Sequence, residues 1–265
     1  MTSTLAQHDD VPDDVLALAT DPEVAAVRVE LLERASHEAL GLGTFTDEEM
    51  AVLDGDPSAL GLPHPWLSAL SADERTAVLA SVQRTLTARA PQADRPDPSL
   101  LALVTLRRGA ESLRTGERHT QSDGDWLVLF EQPGGVWLAE EIGPDGMHTF
   151  TLAPTEETAL RLADWLVPIP SDHSGSLDLT LTRAQIAEDD EVLVPLSDAV
   201  VASSIGGTGV ADLAAFVSEQ RVVVSEDADG GAAVRYVSVS DDDVLDRCRT
   251  ILTAKGTPRT ARSVR

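Results

Sequence analysis

The sequence has few of the residue types on which many active sites and binding surfaces depend. Of its 265 residues only one is cysteine, Cys248, and only one is lysine, Lys255, and aromatic residues make up 3%. A single cysteine excludes an intrachain disulfide and most zinc sites, and it favours a cytoplasmic protein over a small secreted domain. Scarce aromatic side chains leave few platforms on which nucleic-acid bases could stack.

Positive charge and long apolar segments are also scarce. Asp and Glu total 45 against 20 Lys and Arg, which gives a formal net charge of −25. Such a surface repels polyanions, so we expect no membrane partner and disfavour nucleic acid. There is no run of 18 apolar residues, and residues 1–10 lack the basic and apolar stretches of a signal peptide, so neither a membrane span nor a leader is predicted.

The rest of the composition is that of a globular protein, because hydrophobic residues make up 42%. The patterns divide the chain into four segments. Residues 1–22 predict an acidic flexible arm, and residues 23–170 predict a first half with a helical unit, a three-stranded meander and a helix. Residues 171–255 predict a second half with helices, a hairpin and a C-terminal helix, and residues 256–265 predict a disordered basic tail.

The first half begins with a helical pattern from Glu23 to Leu40, in which apolar residues recur at helical spacing. A capping box at residues 71–74 predicts a helix over Ala72–Arg89. The apolar run Leu100–Leu106 is compatible with a strand or a helical turn. These segments predict a helical, winged-helix-like N-terminal unit.

A meander and a second set of elements follow. The meander strands are predicted at Trp126–Glu131, Val136–Ile142 and Met147–Leu152, and Thr155 caps the helix after them. The later predicted elements are a strand at Leu177–Leu181, helices at Thr182–Glu188, Leu193–Ser203 and Val210–Gln220, a hairpin of Arg221–Ser225 with Ala232–Val239, and a helix at Asp241–Ala254. Because hairpin and capped helix occur twice, we predict an α+β fold of antiparallel hairpins packed with helices in pseudo-two-fold halves.

No constellation of catalytic side chains is recognisable. No two histidines are spaced as i, i+4, and Gly41 stands where a motif begun by His37 and Glu38 would need its second histidine. No nucleophile-elbow serine motif is present, and Cys248 is expected in the core or at its boundary. We expect surface or partly packed positions for the six histidines: His8, His37, His64, His119, His148 and His173.

Glycine-rich and acidic segments could bind ions, but their surroundings favour structural roles. Residues 206–209 could cradle an anion before a helix, although the lysine of a phosphate loop is missing. The acidic groups at 189–191, 227–230 and 241–243 are explained by helix capping and turns. We therefore predict no catalytic, cofactor-binding or metal-binding residue, and we expect that the protein is not an enzyme.

A transcription-associated regulator remains as an alternative. If the N-terminal unit reads DNA, its helix Ala72–Arg89 would present Arg75, Arg84 and Arg89 to the groove. The excess of negative charge favours the use of this unit in protein packing.

Apolar, tryptophan-bearing segments carry a resemblance to a known family. They are the run Leu101–Arg107, the strands Trp126–Phe130 and Val136–Glu140, and the following helix up to Trp165. Together with the helical N-terminal unit and the duplicated halves, they resemble the EspG family, the actinobacterial chaperones of type VII (ESX) secretion. The resemblance implies a cytoplasmic adaptor that binds an apolar helical segment of a secreted substrate, without a motif that assigns binding residues.

Overall fold

The computed structural model describes residues 20–54, 62–89, 97–188 and 190–255. The predicted tail at 256–265 lies outside the described residues, as does the predicted arm apart from residues 20–22. The described residues form two compact units, one of the described residues up to 113 together with 127–154, and one of residues 114–126 together with the described residues from 155 to 255. The predicted boundary between the two halves, after residue 170, remains a prediction.

The described residues fold into helices and antiparallel strands, which confirms the predicted α+β class. Up to residue 154 the elements are α1 Pro22–Ala35, β1 Leu40–Thr46, α2 Asp47–Asp54, α3 Pro65–Ala69, α4 Ala72–Arg89, α5 Pro98–Arg108, β2 Leu113–Thr120, β3 Gly124–Gln132, β4 Val136–Ile142 and β5 Met147–Pro154. They are followed by α6 Thr155–Leu166, β6 Asp178–Thr182, α7 Arg183–Glu188, a 3₁₀ helix Asp190–Leu196, β7 Val201–Gly207, β8 Val210–Val217, β9 Val222–Ala228, β10 Ala233–Val239 and α8 Asp241–Thr253.

In the first unit, helices pack around strands in the order β1-β5-β4-β3. Asp21 caps α1 by accepting hydrogen bonds from the backbone amides of Glu23 and Val24. Val24 of α1 then packs on Leu101 and Ala102 of α5. Side chains on both faces of β4 are buried, and the largest buried apolar side chains of the strand core include Phe130, Trp137, Leu138, Phe150 and Leu152. Burial on this scale is the main source of stability for the unit.

In the second unit the strand order is β2-β7-β8-β9-β10-β6. Helix α8 begins with a capping box in which Ser240 and Asp243 bond reciprocally. Its buried side is Val244, Cys248, Ile251 and Leu252. Arg247 of α8 pairs with Glu226 of β9, so the face of the sheet that carries Glu226 is the face toward α8. The α7 and 3₁₀ segments pack on the other face, which carries Val223 and Tyr236.

The structure corrects three predictions. The segment predicted as the helix Val210–Gln220 is strand β8, where burial alternates through Leu213, Ala215 and Val217. The segment Leu193–Ser203 is the end of a 3₁₀ helix followed by the start of β7. The helix predicted to reach Leu40 ends at Ala35, and Leu40 begins β1. Pairing with neighbouring strands outweighs local helix propensity at these sites.

Other elements occur as predicted. The three meander strands, the hairpin β9–β10, and helices α4, α6, α7 and α8 lie at the expected positions, and the run Leu100–Leu106 lies in helix α5. Besides β7 and β8, strands β1 and β2 were also not predicted, because β1 carries Gly41 and Gly43 and β2 is mostly polar. No helix in the described ranges combines the length and the hydropathy that a membrane span requires.

Candidate functional site

An open cleft of about 220 Å³ lies in the second unit, on the face of the sheet opposite α8. Polar and apolar groups line it in about equal measure. The floor residues are Ala214, Phe216, Val234 and Tyr236, and Arg183, Asp212 and Asp227 stand at the rim. A concave apolar floor with polar groups around it is the usual form of a binding site on a protein surface.

The strand register explains why these side chains share one face. On β9 and β10, Ser225 lies opposite Tyr236 and Asp227 lies opposite Val234. The backbone amide of Ala214 on β8 donates a 3.2 Å hydrogen bond to Oγ of Ser225. Since side chains alternate across a strand, these residues point away from the face that carries Glu226.

Two aromatic rings form the central part of the floor. Phe216 and Tyr236 meet edge to face, with ring centroids 5.9 Å apart. Tyr236 is 7% exposed, and burial raises the pKa of its phenol. Half-buried Ile186, Val192 and Leu193 extend the same apolar cluster toward α7 and the 3₁₀ helix. The cleft therefore borders the apolar cluster that α7 and the 3₁₀ helix form with this face of the sheet.

The charged rim is held by solvent-exposed contacts. Arg183 donates hydrogen bonds to the carboxylate of Asp227 and to the carbonyl of Gly231, each at 2.7 Å. Both side chains of this ion pair are more than half exposed. An exposed pair contributes about 0–1 kcal/mol, so a partner could rearrange it at little cost. The cleft thus offers apolar contact area and adaptable polar groups.

Comparison with known proteins identifies a similar fold. No family model and no curated protein matches this sequence. The fold is similar to that of a type VII secretion chaperone. That structure is EspG5 of Mycobacterium tuberculosis in complex with the PE25–PPE41 dimer, and the likeness covers 81% of this chain and 95% of that chain with a TM-score of 0.51. Sequence identity is 10%, so the likeness concerns the fold.

The structure corrects the expectation for two histidines. His64 and His148 are buried, with ring centroids 5.5 Å apart, and they lie beside Asp47 in the first unit. His37, His119 and His173 are exposed as expected, and His8 lies outside the described residues. Nothing in the local sequence indicates the meeting of His64 with His148, because it depends on how α3 and β5 pack.

The other singled-out segments have structural surroundings. Cys248 is fully buried in α8, and burial raises the pKa of its thiol to about 12. Residues 206–209 are the end of β7 and the turn that leads into β8, so the anion-cradle hypothesis lacks its helix. Residues 241–243 form the first turn of α8, where Asp243 completes the capping box. Of the other acidic groups, Asp227 pairs with Arg183, and residue 189 lies outside the described residues.

The arginines of the DNA-binding alternative are not arranged as one free basic face. Arg75 donates hydrogen bonds to the backbone carbonyls of Leu67 and Leu70, each at 3.2 Å. Arg84 is exposed, and the side chain of Arg89 lies outside the described part of the chain. The guanidinium of Arg75 is therefore already used to fix α3 against α4.

Proposed function

We propose that this chain is a cytoplasmic, non-enzymatic chaperone or adaptor that binds another protein, and that its clients are substrates of a type VII secretion system. The observation that carries the proposal is the fold likeness to a secretion chaperone over 81% of this chain and 95% of that chain. That chaperone is described in complex with a protein dimer, and we extend protein binding of this kind to the present chain.

The cleft of the second unit supports this proposal and suggests where a client binds. An apolar helical segment of a client would cover Phe216 and the neighbouring half-buried apolar residues, in the helix-in-groove mode of recognition. Each Å² of apolar surface removed from water contributes roughly 25 cal/mol. A net charge of −25 would keep the complex in solution while the apolar surfaces of both proteins are covered.

The winged-helix regulator is not favoured as an alternative. Helix α4 carries Asp73 and Glu74 in its first turn, which repel a phosphate backbone, and Arg75 is bonded to carbonyls of its own unit. These observations support protein contact over DNA contact for the N-terminal helices.

Co-expression with helical secretion substrates encoded in the same genome tests the proposal. We expect a complex of defined stoichiometry in size-exclusion chromatography with light scattering. Phe216→Ala, or Ala214→Glu if the first variant loses stability, should weaken the complex at least about tenfold, or about 1.4 kcal/mol, because each alters the cleft floor. Leu160→Ala is the matched control, since Leu160 is an exposed apolar residue on α6.

Two results would count against this assignment. Absence of any complex with every such substrate would contradict the proposed function. A complex that forms equally well with Ala214→Glu and with the unaltered chain would leave client binding intact and would show that the cleft is not its site.

A further inference from the structure

Three side chains from separate segments meet inside the first unit. Asp47 is the first residue of α2, His64 precedes α3, and His148 lies on β5. Their exposed fractions are 0%, 7% and 0%. One potential ligand atom of each residue lies within 4.8 Å of those of the other two. Two imidazoles and a carboxylate are a common ligand set for divalent transition metals.

The distances around Asp47 are close to those of a metal site. Its Oδ1 atom lies 2.7 Å from Nε2 of His148 and 3.5 Å from Nδ1 of His64. Its Oδ2 atom accepts a 2.9 Å hydrogen bond from the backbone amide of Leu67. Ligands bound about 2.0–2.2 Å from one tetrahedral ion lie roughly 3.3–3.6 Å apart. The distance from Asp47 to His64 already has this value, and the distance to His148 would open by less than 1 Å.

A second layer of groups fixes the orientation of His148. Its Nδ1 atom lies 2.7 Å from Oε1 of Glu140, and the Nε and Nη2 atoms of Arg107 bond the Glu140 carboxylate at 2.9 and 3.0 Å. Arg107 also bonds both carboxylate oxygens of Asp54. In many metalloproteins a histidine ligand donates a hydrogen bond from one ring nitrogen to a carboxylate, and its other ring nitrogen binds the metal. Here that other nitrogen, Nε2, is directed at Asp47.

A network without metal explains only part of this cluster. His148 can donate to Asp47 and Glu140 at once, which satisfies those three residues. Such a network does not account for His64, because both ring nitrogens of His64 are buried without a hydrogen-bond partner in the described ranges. The contact of 3.5 Å with Asp47 is longer than a normal hydrogen bond. Burial of an unpaired polar group is unfavourable, and a bond to a metal ion would satisfy one of these nitrogens.

We propose that Asp47, His64 and His148 bind a divalent first-row transition-metal ion such as Zn²⁺. Nitrogen ligands favour such an ion over Mg²⁺ or Ca²⁺, which prefer oxygen. Three protein ligands leave a fourth position for water. The ion would link α2, α3 and β5 within the first unit. This site departs from the sequence-based expectation of no metal ligand, and it does not depend on the proposed chaperone function.

Zinc titration of the full chain tests the site. After removal of metal with a chelator, calorimetry with Zn²⁺ alone should give one ion per chain, confirmed by elemental analysis. His64→Ala should weaken Zn²⁺ binding by about 100-fold or more. Loss of a residue that only supports a ligand typically weakens metal binding by about 10–100-fold, and loss of the ligand itself should cost at least as much. His119→Ala is the matched control, because His119 is an exposed histidine of β2 and should leave the affinity unchanged.

Failure of the unaltered chain to bind Zn²⁺, or equal affinity of His64→Ala, would overturn the proposal. A second measurement does not depend on folding of a variant. In ¹⁵N-histidine NMR of the unaltered chain, Zn²⁺ should shift the ring nitrogens of His64 and His148 while those of His37, His119 and His173 stay unchanged. A response confined to the exposed histidines would equally overturn the assignment.

Discussion

Replacement of Arg107 with methionine would remove a guanidinium that is fully buried and bonded to two buried carboxylates. Its Nη1 atom bonds Asp54 at 2.6 and 2.7 Å, and its Nε and Nη2 atoms bond Glu140 at 2.9 and 3.0 Å. Burial by itself would raise the pKa of Glu140, but Arg107 and His148 together hold that pKa below its usual value. The variant would leave this carboxylate without its arginine.

The expected cost follows from this arrangement. Removal of one partner of a buried ion pair typically destabilises a protein by about 3–5 kcal/mol, because an uncompensated charge remains in the interior. Methionine fills a similar volume, so the loss of packing should be small. A domain with a stability of about 10 kcal/mol, in the middle of the ordinary range, would still fold in the variant.

Urea unfolding followed by far-UV circular dichroism measures this cost, with a chelator present so that bound metal does not contribute. Arg235→Met is the matched control, because Arg235 is 43% exposed and pairs with exposed Asp178. We expect a much smaller loss of stability for that variant, because water screens an exposed ion pair. If Arg107→Met lost no more stability than Arg235→Met, the account of a buried charge network that holds the first unit together would be refuted.

Three smaller perturbations test other parts of the structure. Cys248 should react slowly with a thiol reagent until the protein unfolds, because it is buried and its pKa is about 12; rapid reaction in the native state would contradict this. Gly146→Ala should lower the thermal unfolding midpoint more than Gly134→Ala. Both glycines have positive φ, but only a Cβ at position 146 would meet another residue, Cβ of Trp66 at 2.7 Å. Equal effects of the two substitutions would be evidence against this packing. Ser240→Ala should cost about 1 kcal/mol through loss of the α8 cap, and an unchanged midpoint of urea unfolding would contradict the capping box.

Much of the fold could be predicted where local signals agree with the tertiary structure. The meander strands are separated by glycine turns, and the capping boxes at residues 71–74 and 240–243 mark the first residues of α4 and α8. Strand β8 could not be predicted in this way. The alternation Leu213, Ala215, Val217 is interrupted by apolar residues on the other face, so the segment also fits a helix.

The sites were harder to predict than the fold. The cleft depends on β8, whose sequence also fits a helix, so the floor residues of the cleft could not be grouped. The cluster around Asp47 joins residues that are far apart in the chain, since Asp47 and His148 are separated by 101 positions. Only the packing of α2 and α3 against β5 brings them together, and no local pattern carries that information.

We propose above all that this chain acts by binding a protein client. Affinity purification of the full chain from its native host, with mass spectrometry of what is retained, tests it most directly. We predict stoichiometric recovery of a helical secretion substrate, and a sharp reduction of that recovery with Ala214→Glu but not with Leu160→Ala. Recovery of the chain without any such client, or with bound nucleic acid instead, would contradict the account.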